Sequence, residues 1–142
     1  MRITQEADYA IRFVYILAKQ KEAVLGAAQL SQMAATPERY TLKILHKLKH
    51  QGIVQSVKGA HGGYLLACEP AEISLKRIIE AIDGEIALSK CMGEEPCTRM
   101  GMNKHGCCFH KIFCNISHEV AERLSGITIA DVLVDDECVC EE

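Results

Sequence analysis

Tryptophan is absent and aromatic residues make up only 5% of the chain, so the core must come from an ordinary aliphatic complement. Proline is scarce at three residues, and ten scattered glycines give no linker or low-complexity signature. No segment repeats. No apolar run approaches the ~18 residues needed to cross a bilayer. The N-terminus MRITQEADYAIRFVYILAKQ carries acids where a secretory signal carries bases, and it lacks a small-residue cleavage site. A cytoplasmic protein with no membrane partner is therefore expected. A nucleotide-binding glycine motif, a nucleophile elbow and a paired-carboxylate constellation are also missing, so an enzyme is not expected. The 142 residues suffice for one domain with a real core, plus one further element for pairing with a second copy.

Cysteine runs the other way. There are eight, and five of them fall with His105 and His110 in the stretch CMGEEPCTRMGMNKHGCCFHKIFC, Cys91 to Cys114. In a cytosolic chain such thiols point to metal or redox chemistry rather than to a disulfide framework. Soft thiolates with an imidazole, in a glycine-rich segment without hydrophobic period, suit a thiophilic metal or an iron-sulfur cluster. Three cysteines and a histidine also make a tetrahedral zinc set, although the C-x2-C knuckles of compact zinc modules are missing. A metal-free thiol switch is a further alternative, with Lys104, Lys111 and His105 as cations able to lower a thiol pKa. Cys68 reads as a packed free thiol. Cys138 and Cys140 are too close in sequence for an unstrained disulfide.

Net charge is only -3, but it is unevenly spread. Residues 1–66 hold nine Lys or Arg against four acids, and residues 67–142 hold seven against fifteen, so +5 and -8 sum to -3. The first half suits a polyanion and the second has another task. Thr4 reads as the N-cap of a first helix, with Glu6 and Asp8 in its first turn and Tyr9, Ala10, Phe13, Ile16 and Leu17 on its apolar face. Residues 26–34 read as a short helix with Leu30 and Met33 inward, followed by a tight turn at Ala35 and Thr36. Pro37 is placed at the first position of a third helix capped by Thr36 and stopped at Gly52. Leu42, Ile44, Leu45 and Leu48 are its expected buried stripe, while Arg39, Lys43, Lys47 and His50 share the opposite face, flanked by His46.

Two short helices joined by a tight turn, the second bearing a basic stripe, make a helix-turn-helix. VQSVK and YLLA, separated by GAHGG, add a two-stranded wing with a flexible glycine tip. The expected fold is mainly α: a winged helix-turn-helix domain over 1–84, a ligand loop over 85–109, a long dimerisation helix with a short final helix over 110–134, and an acidic tail over 135–142. Ser74 caps the helix SLKRIIEAIDG, which Gly84 stops. Ile112, Phe113, Ile116, Val120 and Leu124 form a stripe that no later element can cover, which implies a homodimer. Thr128, with Asp131 at N3, caps the last helix, and Ile129, Val132 and Leu133 pack back. Arg39, Lys43, Lys47 and Lys58 are expected to attract DNA phosphates. Arg39, Tyr40 and Lys43 are placed to reach base edges, and Lys58 and His61 to reach phosphates or the minor groove from the wing.

RITQEADYAIRFVYILA, LKILHKLKHQGIVQSVKGAHGGYLLA, SLKRIIEAIDG and GITIADVL together resemble the Rrf-two-type winged-helix transcription regulators, over residues 1 to about 134. The KGxxGGYxLA wing is the most specific piece. Cys91, Cys97 and a Cys-x2-His pair resemble the iron-sulfur cluster regulator branch, the IscR-like proteins. That resemblance implies a 2Fe-2S cluster held by Cys91, Cys97, Cys107 and His110, control of cluster-biogenesis genes, promoter DNA as partner, and exchange with cluster-assembly proteins. Nine residues separate Cys97 from Cys107 where the family more often has about five, so Cys108 and Cys114 stay open as alternative ligands. Asp8 matches the place where a nitric-oxide-sensing branch uses an acidic residue, reaching across the dimer, as a cluster ligand, which would imply a 4Fe-4S cluster and nitric oxide as the signal.

Overall fold

A computed structural model describes residues 2–92 and 107–139. Helix α1 spans Gln5–Lys19, and its N-cap Thr4 accepts a hydrogen bond from the Ala7 amide. That bond satisfies one of the otherwise unpaired N–H groups of the first turn. Its apolar face buries Ala7, Tyr9, Ala10, Phe13, Val14, Leu17 and Ala18, while Ile16 is half-buried. Helix α2, Ala27–Met33, departs from expectation at Met33, which is 49% exposed. The buried face centres instead on Leu30, Ser31 and Ala34, because the Ser31 hydroxyl turns inward to donate to the Thr36 carbonyl at 2.6 Å. Met33 is left at the rim.

The turn passes through Ala35 in the left-handed region at φ 50°, and α3 runs Glu38–His50. Its N-cap is Pro37, one residue later than the sequence indicates. Thr36 does not cap, since its hydroxyl bonds back to the Ala34 carbonyl and the residue is buried. Thr41, Ile44, Leu45 and Leu48 form the buried face. Leu42 was expected among them and is 61% exposed, because its position lies roughly a hundred degrees around the helix from the centre of that face.

Strands β1 (Val54–Val57) and β2 (Gly63–Leu66) pair antiparallel, with Val54 opposite Leu66 and Val57 opposite Gly63. Leu25 adds a single-residue bridge to the outer side of β2, exchanging both backbone bonds with Tyr64 at 3.0 and 2.8 Å. This close approach requires Gly63. A Cβ there would lie 2.5 Å from the Leu25 carbonyl oxygen, and one at Gly62 would lie 2.3 Å from the Val57 oxygen. Gly63→Ala should therefore displace the wing and destabilise the fold by roughly 1–3 kcal/mol, read as a lower thermal midpoint by circular dichroism. An unchanged midpoint would show that the Leu25 bridge is dispensable.

Ser74 accepts from the Arg77 amide to cap α4, Leu75–Asp83, which buries Ile78, Ile79 and Ile82. Gly84, at φ 81°, ends it. Helix α5, Cys108–Ser125, buries only Ser117 and leaves Phe109, Ile112, Phe113 and Ile116 exposed. Helix α6, Ile129–Val139, returns to the core through fully buried Ile129. Thr128 and Asp131 form a reciprocal cap, with the Thr128 amide donating to the carboxylate at 2.8 Å and the Asp131 amide donating to the hydroxyl at 3.2 Å.

The acidic tail expected from 135 is helical to Val139, and Asp136 accepts from Tyr15 at 2.5 Å and Lys19 at 2.8 Å. The Lys19 hydrogen bond, then that of Tyr15, holds the Asp136 carboxyl below its usual range. Its stabilising contribution is thus full above the unfolded carboxylate value of about 4 and is lost as pH falls through the lower folded value. Asp136→Asn should reproduce that loss at neutral pH, seen as faster amide exchange in α6, while unchanged protection would assign the docking to Ile129 alone. No described helix is long and apolar enough to cross a membrane.

Candidate nucleic-acid interface and metal centre

Burial of Thr41, Ile44, Leu45 and Leu48 turns Arg39, Leu42, Lys43, His46 and His50 outward on α3. The guanidinium of Arg39 sits 4.7 Å from the Tyr40 ring centroid, and that half-buried ring lies 6.1 Å from the ring of Tyr9. Tyr40 therefore carries Arg39 as well as standing near the surface itself. Lys43 donates to Glu6 at 2.7 Å, and Lys47 reaches the same carboxylate at 3.3 Å and the Ile82 carbonyl at 3.1 Å. The Lys43 bond leads in holding the Glu6 carboxyl below its usual range.

Two of the cations predicted for DNA are thus already paired, and Lys47 faces the ends of α1 and α4. Lys58 and His61 are exposed at the wing. Arg39→Ala should cost roughly 1–3 kcal/mol of affinity for a selected operator and relax one base position, measured by fluorescence anisotropy. An equal loss on every sequence would reassign Arg39 to phosphate contact. Sequence reasoning missed Glu6 as the partner of these lysines, because its first-turn position already had a local explanation in the helix dipole.

The arm leaving α4 runs back along α5. Leu88 donates its amide to the Ser117 hydroxyl at 3.0 Å, and that hydroxyl donates to Met92 Sδ at 3.2 Å. Between these anchors, Cys91 Sγ lies 3.1 Å from Ser89 Oγ and 3.6 Å from His110 Nδ1. Cys91 and His110 are both half-buried. Cys107 is the half-buried N-cap of α5, and Cys108 and Cys114 are exposed on that helix. Cys97 lies outside the described residues, as do His105 and Lys104; the side chain of Cys138, and Cys140, are likewise not described.

Among the described residues no three His, Cys, Asp or Glu side chains converge on one point. The arrangement brings together two of the four predicted ligands. A thiolate facing an imidazole nitrogen is a donor pair that suits iron or zinc. Asp8 instead pairs with Arg12 at 2.7 Å on the exposed side of α1. Cys68 is half-buried with its sulfur 3.5 Å from Arg77 Nη1, remote in sequence from the arm.

A family profile described as Rrf2, iron-dependent transcriptional regulator, matches residues 3–135. The chain belongs to the Rrf2 family. Among curated relatives, the HTH-type transcriptional regulator IscR of Aliivibrio salmonicida is 30% identical over 138 residues, 96% of this chain and 80% of the relative. IscR of Serratia proteamaculans is 28% identical, covering 94% and 79%. The solved structure of T. potens IscR superposes with a TM-score of 0.74 at 23% identity, over 96% of this chain and 88% of that one. The structure of CymR, named as the global cysteine regulator of B. subtilis, superposes with a TM-score of 0.73 at 25% identity, over 93% and 95%. This Rrf2 protein is thus an IscR-like, winged-helix transcriptional regulator and not an enzyme.

Proposed function

We propose that this Rrf2 protein is a homodimeric regulator of promoter DNA whose affinity follows the state of a 2Fe-2S cluster held by Cys91, Cys97, Cys107 and His110. The observation that carries the reading is the 3.6 Å approach of Cys91 to His110 on an arm continuous with α4, in a chain related to proteins named IscR. When bound, the cluster supplies redox-sensitive and oxidant-labile ligation. The protein residues supply the rest of the device. Cys91 on the arm and His110 on α5 would hold the cluster between them, and the arm begins at Gly84, where α4 ends. At that end the Ile82 carbonyl accepts from Lys47 of the recognition helix, and Asp83 accepts from the Thr4 hydroxyl that caps α1. Movement of the arm is thereby felt by the helix that enters the groove.

The exposed face of α5 pairs two copies, and the chain acts in the cytoplasm, where cluster-biogenesis promoters are its targets and cluster-assembly proteins its donors. The four-iron alternative needs Asp8 as a ligand, which requires breaking its contact with Arg12. Anaerobic purification tests the reading: about two irons and two sulfides per subunit with a brown spectrum are expected. A colourless protein with stoichiometric zinc would replace the regulatory cluster with a structural ion.

A further inference from the structure

A single tetrahedral ion with a metal–sulfur bond of about 2.3 Å and a metal–nitrogen bond of about 2.05 Å sets its two donors about 3.6 Å apart. Cys91 Sγ and His110 Nδ1 stand 3.6 Å apart before any metal is considered. Donors belonging to opposite irons of a binuclear cluster would have to span the metal–metal separation as well. The same separation also admits a weak thiol–imidazole hydrogen bond.

What holds this register is Ser117, two helical turns beyond His110 and 1% exposed. It is the only buried polar residue outside the helix-turn-helix among those described. Its hydroxyl is used twice, accepting from Leu88 and donating to Met92, so it grips the arm on both sides of Cys91. A buried hydroxyl with both partners made costs little, whereas leaving the Leu88 amide unpaired is expensive, which ties the arm to one position.

We propose that Cys91 and His110 bind one and the same metal ion through Sγ and Nδ1, and that Ser117 is the positioning residue that sets them at that bite. The inference rests on reading Cys91 and His110 as metal ligands, and it does not depend on which metal is resident.

The test uses full-length apoprotein carrying Cys97→Ser, Cys107→Ser and Cys108→Ser, titrated anaerobically with cobalt(II) and followed by thiolate-to-cobalt charge transfer. One cobalt per subunit is expected. Cys91→Ser or His110→Ala should each weaken binding about tenfold or more, and the two together should cost less than the sum, as for groups sharing one ion. Ser117→Ala should weaken cobalt by about tenfold while the apoprotein still unfolds cooperatively by circular dichroism, and Ser117→Thr, which keeps the hydroxyl, should restore cobalt binding.

Cobalt binding indifferent to His110→Ala, or abolished by Cys114→Ser instead of Cys91→Ser, would overturn the shared ion. Ser117→Ala binding cobalt like its parent would overturn the positioning role. If the wild type proves to carry zinc, the cluster reading fails while the shared ion stands. If the wild type assembles a cluster but the cobalt result fails, only the present inference falls.

Discussion

Phe113→Glu combined with Ile116→Glu is expected to convert a dimer into a monomer and to lower operator affinity by about 10²–10⁴-fold. Both side chains are exposed, at 38% and 41%, and Ile112 and Phe109 extend the apolar face at 51% and 63%. Helix α5 buries nothing but Ser117 within its own chain, so four large apolar groups lie in water unless a second copy covers them. A twofold arrangement presents two recognition helices to two half-sites, and losing the second site removes the effective-concentration advantage that gives the stated range. Light scattering reads the mass, and fluorescence anisotropy the affinity. A double variant that stays dimeric would move the interface elsewhere, and a monomer with undiminished affinity would remove the half-site argument.

The other large effect concerns metal content. Cys91→Ala, Cys97→Ala, Cys107→Ala and His110→Ala should each abolish stable cluster binding, with iron and sulfide falling towards zero. Cys114→Ala and Asp8→Ala should retain both. Cys114 is exposed on α5 one turn beyond His110, and Asp8 is paired with Arg12 on α1. Cys108 stands beside the N-cap Cys107 but is exposed where Cys107 is half-buried, which favours Cys107 as the thiolate turned towards the arm. Bleaching by Asp8→Ala would signal a four-iron cluster, and bleaching by Cys108→Ala alone would exchange the two neighbours.

Local chemistry made much of this legible in the sequence. Thr4, Ser74 and Thr128 sit where the caps are, Gly84 ends α4, and the glycines of GAHGG turn the wing. Each of these depends on a few neighbouring residues, which a sequence displays directly. Periodicity was less decisive at the edges. Spacing of three and four identifies an apolar stripe without fixing its rim, so Leu42 and Met33 were expected inside and lie outside. The contacts that join distant segments left no local mark. Tyr15 and Asp136 are 121 residues apart, and Lys43 and Glu6 are 37 apart.

The same limit applies to the site. Residue type marked the whole stretch from Cys91 to Cys114 and the family resemblance pointed to Cys91 and His110 within it, yet only the fold sets them face to face across 19 residues of sequence. Ser117 carried no signal at all, because a serine within a long amphipathic helix looks like an ordinary solvent-facing position until the arm is laid over it.

Occupancy of the Cys91–His110 site is expected to change DNA affinity. The most direct measurement selects an operator from random duplexes with the anaerobic holoprotein, then determines Kd for holo and apo forms on that duplex and on cluster-biogenesis promoters at one fixed salt concentration. Affinities differing by about 5–150-fold on at least one operator are expected, with the difference abolished in His110→Ala. Equal affinities of the two forms on every operator would contradict the account, leaving a winged-helix regulator whose bound metal has no part in its switching.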